Sequence, residues 1–165
     1  MVTDRTEMHR GIDPRIIVFG SDDDGPPPER ESLGQGGGTA KVPARVLIVE
    51  DEYLVGALAE QALSGGGYDV VGVARSSAEA VQMAIAYRPV LVVMDIRLHD
   101  SDGIASAIEI LQTTGIRCLF ASAHTDEVTR MRAAPARPLG WLSKPYRSAD
   151  LVQAVSQILK GEDQG

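Results

Sequence analysis

One six-residue run, Val90-Leu91-Val92-Val93-Met94-Asp95, constrains this chain more than any other stretch. Five apolar residues without alternation end on a carboxylate, and Arg88-Pro89 punctuates the chain just before them. A strand covered by helices on both faces has this pattern, whereas a half-solvated strand alternates. In open parallel sheets the chemistry gathers outside the carboxyl ends of the strands. Asp95 is therefore expected at a functional edge.

The surrounding sequence agrees with a parallel sheet. From Arg45 onward, strand-like and helix-like stretches alternate with short breaks. Strands are expected over residues 45–49, 68–74, 90–95, 116–121 and 140–143. The first helix is expected over 53–64, with Leu54, Ala57, Leu58 and Ala62 near helical spacing and Gly65-Gly66-Gly67 as a left-handed exit. A second, capped by Ser76 or Ser77, runs to Tyr87 because Pro89 forbids its continuation. A third carries Ile104, Ala107, Ile108 and Leu111; a short fourth covers 125–134, its end made ragged by Pro135 and Pro138. The last, capped by Ser148, carries the stripe Leu151, Val152, Val155, Ile158 and Leu159. The result is a (βα)5 unit over residues 45–160, with 161–165 as a short C-terminal tail and no output domain expected on the chain.

Residues 1–44 differ in kind. Asp22-Asp23-Asp24-Gly25-Pro26-Pro27-Pro28 and Gly36-Gly37-Gly38 offer too little apolar surface to offset the entropy of ordering, so a disordered N-terminal tail is expected. Arg15-Ile16-Ile17-Val18-Phe19 is its one apolar segment, read as a sticky stretch without a role. The net charge of −7 argues against nucleic acid as a direct partner. The single cysteine, Cys118, cannot form an internal disulfide, which fits a reducing compartment. No apolar run approaches the roughly 18 residues of a spanning helix, and no signal-peptide core opens the sequence. The expectation is a cytoplasmic chain with no membrane contact.

Collecting the polar residues at the strand ends gives Glu50 and Asp51, Asp95, Ser122 and Lys144-Pro145. Three carboxylates converging on one cleft repel each other unless a cation is present, and an all-oxygen site suits Mg²⁺. Lys144 adds a point charge and Ser122 a hydroxyl, both suited to phosphoryl oxygens. A carboxylate can itself be the nucleophile toward phosphorus. Each piece alone also has a plain structural reading as a helix N-terminus, a turn residue or a loop. The conjunction of four strand ends, in chain order, is what points to phosphoryl chemistry.

On these residues the sequence resembles the receiver domain of response regulators in two-component signalling. The matching stretches are Val46-Leu47-Ile48-Val49-Glu50-Asp51-Glu52, Val92-Val93-Met94-Asp95, Asp102-Gly103, Ala121-Ser122-Ala123 and Gly140-Trp141-Leu142-Ser143-Lys144-Pro145-Tyr146. The resemblance implies a flavodoxin-like doubly wound sheet of five parallel strands in the order 2-1-3-4-5. It implies Asp95 as phosphoacceptor, with Glu50, Asp51, Asp95 and the Arg97 backbone carbonyl holding Mg²⁺. It further implies Lys144 as the phosphate-pairing lysine, Ser122 as the switch hydroxyl, Trp141 as the switch aromatic, and a cis Lys144-Pro145 peptide. Partners would be a histidine kinase or a histidine phosphotransferase. A target protein or second copy would meet the face made by the fourth helix, fifth strand and fifth helix. The chain would be no enzyme beyond its own phosphorylation and dephosphorylation. It departs from the family in three places: His99 stands where proline is common, the switch aromatic is a tryptophan, and residues 134–138 replace an Ala-Gly-rich approach to the fifth strand.

Two rivals come from other classes. A haloacid-dehalogenase-type hydrolase wants an acid two residues after its nucleophile, where Arg97 stands, and the glycine runs lack the Gly-Lys-Ser/Thr of a P-loop. A vestigial receiver serving as an interaction scaffold is the remaining alternative, although all five key polar groups are present.

Overall fold

The computed structural model describes residues 41–99 and 101–162. Residues 1–40 of the expected tail, with its apolar segment, lie outside the described residues, as do residues 163–165. The elements run β1 (Arg45–Val49), α1 (Tyr53–Gly65), β2 (Asp69–Ala74), α2 (Ser77–Tyr87), β3 (Leu91–Met94), α3 (Gly103–Thr114), β4 (Cys118–Ser122), α4 (Glu127–Ala133), a 3₁₀ turn (Ala134–Ala136), β5 (Gly140–Ser143) and α5 (Ser148–Glu162). All strand pairs are parallel and the sheet order is β2-β1-β3-β4-β5, as the resemblance implies.

Every residue of β3 and β4 is buried, because helices cover both sheet faces. One core layer packs Leu47, Val49, Val92, Met94 and Phe120 against Ala80, Ala84, Ile104 and Ile110 of α2 and α3. The other packs Val46, Ile48, Val93 and Leu119 against Ala59 and Leu63 of α1 and Leu151 and Val155 of α5. Strand alternation deals successive side chains to the two layers, and that alternation fixes which groups reach the site.

The helices depart from the sequence reading in detail. In α1 the expected stripe is wrong: Leu54 and Leu58 are exposed, and Gly56, Ala59 and Leu63 are buried. The helix turns its small residues inward because it lies close on the sheet. A side chain at Gly56 would press on Val73 and Glu50. Gly65 remains helical and Gly66 is right-handed, so only Gly67, at φ +88°, makes the left-handed exit. Ser76 and Asp102 cap α2 and α3 by accepting hydrogen bonds from Glu79 and Ile104. The fourth helix is shorter than expected, since Asp126 caps it and Pro135 tightens its end into the 3₁₀ turn. Ser148 is the first residue of α5 rather than its cap; instead Arg147 donates from its backbone to the Asp150 carboxylate. That helix runs on to Glu162, past the expected end at residue 160.

At the outer strand, the ladder between β1 and β2 slips at Val46/Leu47, and Gly72 takes φ +155°. A side chain there would meet the Met83 methyl, the movable end of a flexible side chain, so it is the positive φ that favours glycine.

Candidate functional site

The site is assembled from the ends of β1, β3 and β5. Past β1, Glu50 extends the ladder by donating its N–H to Ala74 at 2.9 Å, and its side chain is buried. Asp95 follows β3 and donates its N–H to Val49 at 3.0 Å, which sets the two acids side by side. Lys144 follows β5 and donates its N–H to the Ser122 carbonyl at 3.0 Å. Its peptide to Pro145 is cis. Ligand oxygens of Glu50, Asp51 and Asp95 lie within 4.8 Å of one another.

The Lys144 ammonium donates to Asp95 Oδ2 at 2.9 Å and to Glu50 Oε2. The other oxygen of Asp95 accepts the Arg97 N–H at 3.1 Å, and that of Glu50 accepts the Glu52 N–H at 3.1 Å. Burial pushes the Glu50 carboxyl above its usual range, against the pull of Lys144. Burial works the opposite way on Lys144, but its bonds to the two carboxylates outweigh that and hold the ammonium above its usual value. Asp51 is drawn below the usual carboxylate range: desolvation opposes this, and hydrogen bonds from His99 prevail. One ammonium among three carboxylates leaves a surplus of negative charge. The donor set is all oxygen and concave, and it fits a hard divalent cation.

Close backbone approach holds the acidic loop in place. Gly103, first in α3, donates to the Ile96 carbonyl at 2.8 Å, and any side chain there would overlap the Asp95 carbonyl. Ser122 is buried, and its hydroxyl accepts the His124 N–H at 3.1 Å. Trp141 is paired with Phe120 in register, their ring centroids 5.0 Å apart. The Arg130 guanidinium lies over the Trp141 ring, 5.1 Å from its centroid. Alternation puts Phe120 and Ser122 on one sheet face, so the hydroxyl and the indole share the α3–α4 side. At the rim, Arg97 Nη1 and His124 Nε2 are 3.3 Å apart.

The structure thus brings Glu50, Asp51, Asp95 and Lys144 into one nook, with Arg97 bonded to it and Ser122 and Trp141 on the adjoining strands. Three contacts escaped the sequence reading. The His99 backbone N–H donates to Asp51 Oδ2 at 2.7 Å, and the His99 ring nitrogen Nδ1 meets the same oxygen. Arg132 of α4 pairs with the cap residue Asp102. The Ser77 hydroxyl bonds that of Ser101 and, at 2.5 Å, that of Ser106, tying the acidic loop to α2 and α2 to α3. The only advance signal for the first was His99 itself, in a position where proline could not donate.

The family model for the response regulator receiver domain matches residues 46–156. The chain belongs to the response regulator receiver family. Among curated relatives, the transcriptional regulatory protein PdtaR of Mycobacterium tuberculosis H37Rv is 40% identical over 118 residues, 70% of this chain and 57% of that protein. The phyllosphere-induced regulator PhyR of Methylorubrum extorquens is 34% identical over 123 residues, 73% of this chain and 45% of that one. This receiver therefore spans about half the length of these curated relatives. Among solved structures, the signal receiver domain of a modulated diguanylate cyclase from Desulfovibrio desulfuricans is similar with a TM-score of 0.67 at 32% identity, covering 75% of this chain and all of that one. Among the described residues no helix is long and apolar enough to cross a membrane.

Proposed function

We propose that this receiver accepts a phosphoryl group on Asp95 from a phosphohistidine of a partner histidine kinase or histidine phosphotransferase. The observation that carries the reading is the Lys144 ammonium bonded to both Glu50 and Asp95, with Asp51 as third carboxylate. In the transfer an Asp95 oxygen forms the O–P bond while the donor's P–N bond breaks, and the electron pair stays on the donor imidazole, which takes up a proton. Mg²⁺, held by Glu50, Asp51, Asp95 and the Arg97 carbonyl, would neutralise the carboxylates and the phosphoryl oxygens. Lys144 supplies the fixed positive charge that faces the transferred group. Ser122 already accepts one hydrogen bond from His124, so its own proton is left to donate to a phosphoryl oxygen.

The switch then depends on Ser122 and Trp141 together. A charge-assisted hydrogen bond contributes about 1.5–3 kcal/mol. Driving an equilibrium from 1:99 to 99:1 needs about 5.5 kcal/mol. The hydroxyl is insufficient alone, so the Lys144 contact and repacking of Trp141, which touches Phe120 and Arg130, supply the remainder. Output passes by association with a target protein or a second copy at the face of α4, β5 and α5, or by handing the phosphoryl group on, in the cytoplasm and without direct nucleic-acid contact. Arg97 and His124, paired at the rim, tune how readily water reaches the aspartyl phosphate. Equal phosphoryl lifetimes in Arg97→Ala, His124→Ala and the parent would remove that role from them. The central test is labelling by a small phosphodonor such as acetyl phosphate with Mg²⁺. The parent chain labels and Asp95→Asn does not; retained label in Asp95→Asn would overturn the assignment.

A further inference from the structure

We propose that Arg130 is the positioning residue that couples the two halves of the switch, its one guanidinium holding both the loop after Ser122 and the ring of Trp141. The inference rests on the reading of Ser122 and Trp141 as a switch that answers a phosphoryl group on Asp95, and it concerns what makes them move together.

The register of the sheet pairs Ser122 with Ser143 and Trp141 with Phe120, so the hydroxyl and the indole are not direct partners across the ladder. Helix α4 supplies the link. Arg130 donates its Nε–H to the Thr125 carbonyl at 3.0 Å, and its guanidinium lies over the Trp141 ring, 5.1 Å from the centroid. Thr125 stands three residues past Ser122, and the segment between them is short and bonded. The His124 N–H donates to the Ser122 hydroxyl at 3.1 Å, and Asp126 then caps α4 by accepting the Thr129 N–H at 2.9 Å. On the strand before Ser122, the Phe120 ring meets the indole at 5.0 Å between centroids. The indole is thus tied to the chain on both sides of Ser122, directly at Phe120 and through Arg130 at Thr125.

The double contact suits arginine and not lysine. A guanidinium is planar, with a face to lay on an aromatic ring and N–H donors along its edge, whereas an ammonium is a point charge on a flexible stem. Arg130 is exposed, so each contact alone is weak. Their conjunction does the coupling. When Ser122 turns toward a phosphoryl oxygen, it draws on the His124 N–H and with it on the Thr125 carbonyl. A guanidinium that follows that carbonyl leaves the indole, and Trp141 repacks. Linkage makes the effect reciprocal: a ring held by Arg130 favours the unloaded loop.

Trp141 is the only tryptophan of the chain, so its fluorescence reports on the ring alone. Acrylamide quenching is measured on the full chain with Mg²⁺, before and after acetyl phosphate, and label on Asp95 is counted in the same samples. In the parent, quenching is expected to change on loading. In Arg130→Met the unloaded chain should already lie toward the loaded value, and the change per phosphoryl group should fall about threefold or more, the effect of losing one cation–π contact on a two-state population. Arg130→Lys, which keeps a charge but has no Nε–H, should not restore the response. Arg132→Met removes an arginine of the same helix that pairs with Asp102, and it should respond as the parent does. A parent-like response in Arg130→Met or Arg130→Lys would overturn the proposal, and so would an equal loss in Arg132→Met. Label on Asp95 with no change at Trp141 in the parent would overturn it too. A parent that takes no label would overturn the phosphoryl reading and the coupling with it, a result told apart by the missing label.

Discussion

Two sets of ion pairs sit at opposite ends of one sheet, and their chemistry is the same while their surroundings are not. At the amino ends of the strands, Arg45 faces Asp69 and Arg117 faces Glu162, all four side chains about a third or more exposed. At the carboxyl ends, Lys144 faces Glu50 and Asp95, with Glu50 only 4% exposed. Exposed pairs are screened and nearly neutral in stability. Buried ones carry a desolvation cost that attraction seldom exceeds by much. The carboxyl-end cluster is therefore poor value as scaffolding, and its balance of one ammonium against three carboxylates is incomplete without ligands. The difference teaches where this molecule tolerates electrostatic cost, which is where a phosphoryl group and a cation would relieve it.

The comparison can be broken at its buried end first. Lys144→Met removes the one cation facing two buried carboxylates. The expected loss is about 3 kcal/mol, read as a lower urea midpoint, because uncompensated buried charge is the expensive case. A loss under 1 kcal/mol would put the two ends on the same footing. Gly103→Ala should lose about 2–3 kcal/mol by forcing α3 off the Asp95 carbonyl, with labelling of Asp95 impaired in parallel. A fully stable and active Gly103→Ala would show that the acidic loop is not held by that approach.

A pH series sharpens the contrast. Burial holds Glu50 above its usual 4.5, so ionising it opposes folding. Its contribution is complete below about pH 4.5 and is lost as pH climbs through the elevated value. Relative to the parent, Glu50→Gln should therefore gain stability as pH rises across that window; a flat difference would count against a buried, strained carboxylate. The amino-end pairs should give the smallest effect. Arg117→Ala is expected to change stability by less than about 1 kcal/mol, and by less still in high salt. Between the ends, the buried Cys118 thiol is pushed up to about 12 by burial. A disulfide reagent at pH 8 should leave it unmodified in the folded chain and label it once urea unfolds the protein.

The sheet was legible because each signal for it is local. The unbroken apolar run before Asp95, the fifth strand at Gly140–Ser143 and the cap at Ser76 depend on neighbours in sequence. The acids and the lysine could be gathered because parallel strands deliver their carboxyl ends to one edge. What stayed hidden depends on how elements dock. Leu54 and Leu58 look like a core stripe until α1 is pressed close enough to the sheet for Gly56 to be the inward residue. Ser148 reads as a cap until Arg147 and Asp150 are found bonded across one turn. The contact between His99 and Asp51 joins loops 48 residues apart, and no periodicity records it.

The slip at Gly72 reaches beyond the packing of one methionine. An outermost strand carries a row of spare amides and carbonyls, and a regular row can template the strand of another molecule. Here the row is interrupted midway, so a visiting strand in step with one half falls out of step with the other. On the far side β5 is only four residues long, too brief to hold a stranger in line. By these two devices the sheet stops growing at five strands.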